Sequence, residues 1–265
     1  MSENSTTKRI LGLTLARGGS KSIHKKNISP INGVPLIAYT IVEALLSRNI
    51  TRYIVSTDDE EIRDVALAYG AQVPFLRPDD LSSDTASSMA AMQHAVAWVE
   101  AEENVRYDYV IELMCTNPMK TVSDIDGSIE KLINTGADSV IAVHRLDDHH
   151  PIRIKKIVDD RLQDFCLPEK LETRRQDLKP DAYIRSGSIY ALTRDHLMVD
   201  GQRYGSENSR PWILDPHKGV NLDSKMDFRM AELLLADYPR QHINEAKIAA
   251  DKHLEQHVDS PDVSG

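Results

Sequence analysis

Short apolar runs alternate with amphipathic segments along most of the chain, and this pattern predicts the order of strands and helices. The run 10–15 is apolar enough for a buried strand, and 122–135 has apolar residues at helical spacing before Gly136, a residue typical of helix ends. The predicted strands cover 10–15, 52–56, 72–76, 109–114 and 139–144. The predicted helices cover 35–47, 59–69, 85–103, 122–135, 224–238 and, with a more polar pattern, 240–257.

This alternation predicts an α/β fold of Rossmann-like type, with a mostly parallel sheet and helices on both faces. Between 145 and 192 the rhythm breaks into short β-like stretches around a polar segment, so we expect a small inserted lobe there. Residues 1–8 should be disordered, and 9–240 should form a single domain that carries the lobe. Residues 241–265 should add a C-terminal helix and tail.

Composition narrows the classes of partner. Of 265 residues, 41% are hydrophobic and 28% charged, which is ordinary for a globular protein. The net charge of −9 disfavours a nucleic-acid polymer as partner, because an acidic surface repels phosphate backbones.

The chain shows no signal-peptide pattern and no long apolar run, so we expect a cytoplasmic protein without membrane contact. Its two cysteines are too few for a disulfide framework.

The loop after the first predicted strand carries the first candidate chemistry. Two glycines at 18–19 would let the backbone take positive φ, so that successive N–H groups point at an anion. Arg17, Lys21, Lys25 and Lys26 concentrate positive charge beside them, which suits a polyphosphate. Neither the P-loop pattern nor the dinucleotide pattern occurs in this loop. A surface turn with solvated basic residues is the alternative interpretation.

The run 16–41, ARGGSKSIHKKNISPINGVPLIAYTI, resembles the N-terminal signature of the acylneuraminate cytidylyltransferases. The resemblance extends over about 9–236 and implies a nucleotide-diphospho-sugar transferase-like fold. It also implies a reaction in which CTP and a 2-keto sugar acid give a CMP-sugar and pyrophosphate, with Mg²⁺ as cofactor and a homodimer whose lobe crosses to the partner. Two alternatives remain open: CMP activation of another acid of the legionaminate, pseudaminate or 3-deoxy-octulosonate type, and a non-catalytic nucleotide-binding relative.

A second stretch, 77–88 (RPDDLSSDTASS), resembles the family motif that lines the cytosine and ribose pocket. Taken alone, such a cluster is most often only a proline turn followed by a helix cap, and the functional interpretation depends on the resemblance. Of the implied residues, Arg17 and Lys21 would also serve in catalysis, with Asp223. The nucleotide-binding residues that the resemblance implies are Ala16, Arg17, Gly18, Gly19, Ser20, Lys21, Asn27, Arg77, Ala86 and Ser88.

A third group of residues resembles the family's sugar-binding segments, with departures. Met114 stands where the family has glutamine, Cys115 where it has proline and Ser186 where it has asparagine. A thioether cannot replace the donor and acceptor of an amide, so the choice of sugar acid is open. Arg175 and Arg185 could hold the carboxylate of the acid, or they could be solvated side chains of a polar loop. The implied sugar-binding residues are Met114, Thr116, Asn117, Arg175, Gln176 and Arg185.

The metal site implied by the resemblance lies in 219–227. Asn221 and Asp223 take the places of an aspartate pair that binds Mg²⁺ in the family, and a spacing of two puts both side chains on one face of an extended segment. The amide oxygen contributes no charge, so we expect weaker metal binding. Asp223 could instead only cap the following helix. A metal site at His149–His150 is a minor alternative, because adjacent side chains point in different directions.

Overall fold

The structure is a computed structural model that describes residues 8–20, 23–83, 85–146, 149–168 and 174–258. Lys21, Thr173 and residues 1–7 of the predicted disordered segment 1–8 lie outside the described residues. In these ranges the strands are β1 Ile10–Leu15, β2 Pro30–Ile31, β3 Val34–Pro35, β4 Arg52–Ser56, β5 Tyr109–Leu113, β6 Ser139–Leu146, β7 Lys155–Val158, β8 Arg161–Asp164, β9 Ala182–Thr193 and β10 Ser209–Ile213. The α-helices are α1 Leu36–Leu45, α2 Glu60–Ala68, α3 Ser88–Glu103, α4 Val122–Thr135, α5 Arg194–Met198, α6 Lys225–Asp237 and α7 Gln241–Val258.

The central sheet has the strand order β10-β6-β9-β5-β1-β4. β1 pairs parallel with β4 and β5, and β10 pairs parallel with β6, whereas β9 is antiparallel to both of its neighbours. Along β1 the side chains alternate between two cores: Ile10 packs on one face, and Leu11 and Leu13 pack against α3 on the other. The expected α/β fold, a mostly parallel sheet with helices on both faces, is confirmed.

Helix ends follow the local sequence. Thr121 and Asp124 form a reciprocal capping box before α4, and Gly136 ends this helix with a φ of 61°. Ser224 and Asp227 form the equivalent box before α6. These signals explain why the bounds predicted for both helices agree with the structure to within one residue.

Three predicted elements differ from the structure. Residues 72–76 make only isolated bridges, from Gln72 to Ile54 in β4 and from Leu76 to Thr57 just after it, because Pro74 lacks the N–H that a continuous ladder needs. The helix expected from 85 begins at Ser88, since the Ser87 side chain accepts a hydrogen bond from the N–H of Ala90. β10 was missed because its five residues include Pro211 and lack an alternating pattern.

The segment predicted as a lobe divides into two parts. The hairpin β7–β8 forms a small sheet of its own. Residues 182–193, by contrast, form the long strand β9, whose second half pairs with β5 in the central sheet. Assigning 188–192 to the lobe was therefore wrong, because these residues fill the centre of the core. The division into one domain with a lobe stays a prediction.

The C-terminal segment is tied into the core through Glu43, which is fully buried in α1. Glu43 Oε1 accepts hydrogen bonds from Arg240 Nη1 at 2.7 Å and His242 Nε2 at 2.9 Å, and its Oε2 accepts one from the N–H of Val122 at 2.6 Å. Arg240 before α7 and His242 within α7 thus share the Glu43 carboxylate with the first N–H group of α4. Among the described residues, no helix combines the length and apolar character that a membrane crossing requires.

Candidate active site

The loop after β1 is held against the loop after β4. The N–H of Gly18 donates to Asp58 Oδ1 at 3.1 Å, and a Cβ atom on Gly18 would lie 2.6 Å from Asp59 Oδ2. A Cβ atom on Gly19 would meet nothing within 4 Å. Neither glycine has a left-handed φ, so the predicted positive φ is wrong. Gly18 is required instead because the two loops approach each other too closely for a side chain.

Asn27 fixes the same loop from the other side. Its Nδ2 donates to the carbonyl oxygen of Arg17 at 2.9 Å, and its Oδ1 accepts a hydrogen bond from Cys115 Sγ at 3.2 Å. Burial raises the pKa of Cys115, so the thiol stays protonated and can act as this donor. Asn27 therefore joins the end of β1 to the loop after β5.

Lys26 joins the loop to the segment that carries the predicted metal ligands. Its ammonium, on a side chain that is 11% exposed, lies 3.0 Å from Asp223 Oδ1 and 2.7 Å from the carbonyl oxygen of Leu222. Asn221 Nδ2 donates to the other carboxylate oxygen of Asp223 at 2.9 Å. The candidate metal ligand Asp223 is thus already positioned by two donors.

Two arginines lie at the other side of the loop. Arg77 is buried and donates to Asp58 Oδ1 at 3.3 Å and to Ser82 Oγ at 3.1 Å. Burial lowers the pKa of Arg77, and the Asp58 carboxylate opposes this shift. Arg17 Nη1 donates to the carbonyl oxygen of Ser83 at 3.3 Å. The pair concentrates positive charge where an anionic ligand would lie.

A cavity of about 490 Å³ opens between this loop, the start of α3 and the end of β5. Lysine, arginine, carboxylate and small side chains converge on it, which suits a polar ligand with an anionic part. The predicted site residues that line the cavity are Arg17, Ser20, Asn27, Arg77, Ala86, Ser88, Met114, Thr116 and Asp223. Residues as far apart in the sequence as Arg17 and Asp223 therefore meet at one place.

Other predicted residues lie outside the cavity lining. The predicted sites Lys21 and the side chain of Arg175 are outside the described part of the chain. Ala16 is fully buried, and its N–H donates to the carbonyl oxygen of Ser56 at 3.0 Å. Gln176 is exposed. The described residues in this group are Ala16, Gly18, Gly19, Asn117, Gln176, Arg185 and Asn221.

Asn117 is buried and bonds only protein atoms among the described residues. Its Oδ1 accepts from the N–H groups of Met119 and Lys120, and its Nδ2 donates to the carbonyl oxygen of Lys218 at 2.8 Å. It shapes the turn beside the cavity, and its predicted contact with a sugar stays a prediction.

Comparison with known proteins decides the family. The sequence matches the family described as "Cytidylyltransferase" over residues 11–213. The chain belongs to the cytidylyltransferase family. The resemblance found in the sequence motifs is thus confirmed, and the protein is a nucleotidyltransferase.

Named relatives of this cytidylyltransferase cover most of its length. A pseudaminic acid cytidylyltransferase of Campylobacter jejuni is 34% identical over 83% of this chain and 93% of its own length. A CMP-N,N'-diacetyllegionaminic acid synthase of Legionella pneumophila is 32% identical over 86% and 96% of the two chains. The fold also matches the solved structure of a CMP:2-keto-3-deoxy-manno-octonic acid synthetase complexed with CTP, with a TM-score of 0.62. The match covers 87% of this chain and 100% of that chain, at 19% sequence identity. The structural match shows the same fold.

Sequence motifs missed several residues of this cytidylyltransferase. Glu112 lines the cavity although it lies in the apolar strand β5, and Arg203 pairs with it from an irregular segment. Lys120 is fully buried, and its ammonium donates to Thr40 Oγ1 at 2.6 Å and to the carbonyl oxygens of Met114 and Asn117 at 2.7 Å each. A charged residue inside an apolar strand was the only signal in the sequence for Glu112.

The donors near Asp223 fit a hard cation only in part. Asp223 contributes a carboxylate, and the buried Oδ1 of Asn221 has no hydrogen-bond partner among the described residues. Both are oxygen ligands of the kind that Mg²⁺ prefers. Within the described ranges, no group of three or more His, Cys, Asp or Glu side chains could hold a metal.

Both ring nitrogens of His150 are engaged, by Pro180 and Ile152, so the alternative histidine metal site is not supported.

Proposed function

We propose that this chain transfers the CMP group of CTP to a 2-keto sugar acid, an N-acylneuraminate or a related nonulosonate, and releases pyrophosphate. The observation that carries the proposal is the convergence of Arg17, Arg77 and Lys26 on one cavity that also contains the end of β5. The names of the relatives at 34% and 32% identity support this class of acceptor. They also support the pseudaminate and legionaminate alternatives.

In the proposed reaction, a hydroxyl oxygen of the acid attacks the α-phosphorus of CTP. The bond from that phosphorus to the bridging oxygen of the β-phosphate breaks, pyrophosphate leaves, and the proton of the hydroxyl passes to solvent. Negative charge increases on the leaving group, so catalysis consists mainly of neutralising charge and aligning the reactants. Arg17 and Lys21 would bind the triphosphate. The backbone N–H of Gly19 would add a donor, whereas the N–H groups of Gly18 and Ser20 already donate to Asp58 and to the carbonyl oxygen of Gly18. Arg77, Ala86 and Ser88 would hold the nucleoside.

We propose Mg²⁺ as the cofactor, with Asp223 and the unpartnered Oδ1 of Asn221 as its protein ligands. A bound divalent ion would supply charge stabilisation at the phosphates. Among the described residues only these two ligands are available, so the triphosphate would have to complete the set. Lys26 keeps the Asp223 carboxylate in place, since it donates to Oδ1 at 3.0 Å.

A homodimer is a further part of the proposal. The hairpin β7–β8 and the residues that follow it expose large apolar side chains: Ile157 is 74% exposed, Leu162 75% and Phe165 63%. Apolar side chains grouped on a projecting hairpin favour contact with a second copy of the chain. A mass measurement in solution tests the proposed homodimer, and we expect Leu162→Asp to give monomers.

The cytoplasmic location stays a prediction.

The test of the function is an assay of pyrophosphate release with CTP, Mg²⁺ and each of four acids. The acids are N-acetylneuraminate, N,N'-diacetyllegionaminate, pseudaminate and 3-deoxy-octulosonate. We expect release that depends on one or more of them, and formation of the matching CMP-sugar. Calorimetric binding of CTP without release for any acid would contradict the proposal and favour a non-catalytic nucleotide-binding protein.

A further inference from the structure

Arg203 lies where the cavity described above meets a second one. The second cavity, of about 330 Å³, is lined by Ser88, Met89, Gly201, Gln202, Arg203 and Tyr204. Ser88 lines both cavities, and Arg203 contacts two residues of the first. The space beside the candidate nucleotide site therefore extends toward the segment between α5 and β10.

The guanidinium of Arg203 is held on three sides. Its Nε donates to Glu112 Oε2 at 2.6 Å, its Nη2 contacts Met114 Sδ at 3.5 Å, and its central carbon lies 4.2 Å from the centre of the Tyr190 ring. The side chain of Glu112 is only 3% exposed. A guanidinium with so many fixed contacts is oriented before any ligand binds.

One part of the Arg203 guanidinium remains for a ligand. Within the described part of the chain, Nε and Nη2 of Arg203 are engaged, and no group accepts a hydrogen bond from Nη1. Arg17 and Arg77 line the first cavity and not the second. Arg185, predicted to bind the sugar, stacks on the Tyr204 ring at 3.9 Å and lines neither cavity. Arg203 is thus the arginine that the described chain presents at the second cavity.

We propose that Arg203 binds the carboxylate of the acceptor sugar acid through Nη1, and that Glu112 is the positioning residue that orients it. A guanidinium pairs with a carboxylate more strongly than a neutral donor does, and the acid has to lie beside the nucleotide in order to react. The inference rests on the proposed function and adds to it the protein group that recognises the acid. Met114 contributes an apolar contact there and no donor.

The test separates binding of the acid from binding of CTP. In Arg203→Met, we expect the KM for the acid to rise about 10- to 100-fold, because a hydrogen bond to a charged group is lost. The Kd for CTP, measured by calorimetry without acid, should change less than twofold. Arg203→Lys should recover part of the KM. Glu112→Gln keeps an oxygen acceptor for Nε, so its effect on the KM should be smaller than that of Arg203→Met.

Arg194→Met is the matched control. Arg194 makes the same kind of ion pair, with Nε and Nη2 each 2.8 Å from the oxygens of Glu100, and its side chain is 18% exposed against 17% for Arg203. It lines neither cavity. Its loss should lower stability without a change in the KM for the acid. This control distinguishes recognition of the acid from the general cost of breaking a buried ion pair.

Loss of Arg203 leaves the Glu112 carboxylate buried and unpaired, which can prevent folding. The double variant Glu112→Gln/Arg203→Met removes that charge and should show the same rise in KM in a folded protein. A KM for the acid within twofold of the wild-type value in the folded variants would overturn the inference, as would an equal loss of CTP binding. If the wild-type chain releases pyrophosphate with none of the acids, the proposed function itself fails and the inference with it.

Discussion

The ammonium of Lys26 lies 3.0 Å from Oδ1 of Asp223, so a residue of the first loop directly positions the candidate metal ligand nearly two hundred residues later in the chain. Lys26 also donates to the carbonyl oxygen of Leu222. These contacts join the segment after β1 to the segment before α6. A change on either side should therefore affect the other.

The first prediction concerns Lys26→Met. The substitution leaves the Leu222 carbonyl without its donor and removes a cation from the cavity, so we expect the free energy of unfolding to fall by about 1–3 kcal/mol. We expect kcat to fall about 100-fold. Urea unfolding and the pyrophosphate assay measure the two effects. Lys25→Met is the stability control: Lys25 pairs with Glu61 at the surface, so its loss should lower the unfolding free energy much less than the loss of Lys26 does. Equal stability of both variants would contradict the structural role of Lys26.

The second prediction compares the two glycines of the loop. In Gly18→Ala the new methyl group would overlap the Asp59 carboxylate, which lies 2.6 Å from its position, so we expect a loss of about 1–3 kcal/mol in unfolding free energy. Gly19→Ala places the same group in open space and should change stability by less than about 0.5 kcal/mol. Urea unfolding without ligands measures both. If the two variants were equally stable, the close approach of the loops would not be what requires Gly18.

The third prediction concerns Asn221→Asp. The Asn221 amide now donates to Asp223 at 2.9 Å, and a carboxylate in its place would instead repel Asp223. We expect lower stability without metal but about tenfold tighter Mg²⁺ binding in the presence of CTP, since a second charged ligand is added. Calorimetry measures the affinity, and Mn²⁺ as a spectroscopic probe gives a readout independent of turnover. Asn208→Asp adds a carboxylate near Gly136 and should leave the metal affinity unchanged. An unchanged affinity in Asn221→Asp would argue against a metal at this position.

The fourth prediction is a pH dependence caused by Lys120. Burial lowers the pKa of Lys120 from 10.5 to about 7, although three oxygen atoms accept its hydrogen bonds. Between pH 7 and 10.5 the unfolded chain holds this proton and the folded chain has lost it. The unfolded state therefore binds more protons, and stability due to Lys120 rises with pH in that window by up to about 1.4 kcal/mol per unit.

Lys120→Met isolates this contribution. We expect the unfolding free energy of the wild type minus that of the variant to increase by about 2 kcal/mol between pH 7 and pH 9. Burial also raises the pKa of Tyr39 to about 12, but Tyr39 is present in both proteins, so its contribution cancels in this difference. A difference that stays constant over this range would mean that Lys120 remains charged in the folded protein.

Local signals explain most of the predicted elements. The bounds of β1 and β4 agree with the prediction because β-branched and apolar residues form short continuous runs there. The bounds of α4 agree because a capping box marks its start and Gly136 marks its end. The glycine and arginine motifs likewise located the loop after β1 and the start of α3. Such motifs are contiguous, so no knowledge of distant contacts was needed to find them.

Long-range contacts account for what the sequence patterns missed. β9 reads as two short pieces in a polar region, yet it becomes one long antiparallel strand because β5 and β6 pair with it on both sides. The C-terminal residues showed no motif, but Arg240 and His242 converge on the buried Glu43. A buried charge is stable only when its partners come from elsewhere in the fold, and a local pattern cannot identify those partners.

The sequence by itself determined most of the order of strands and helices, the family and the loop that carries the candidate nucleotide contacts, because each is encoded by neighbouring residues. Only the tertiary structure decided that Lys26 positions Asp223, that Asn117 faces the protein, and that Arg203 meets Glu112 beside the cavity. Those relationships depend on which side chains the packed sheet brings within hydrogen-bonding distance, and residues up to 197 positions apart have no common local signal.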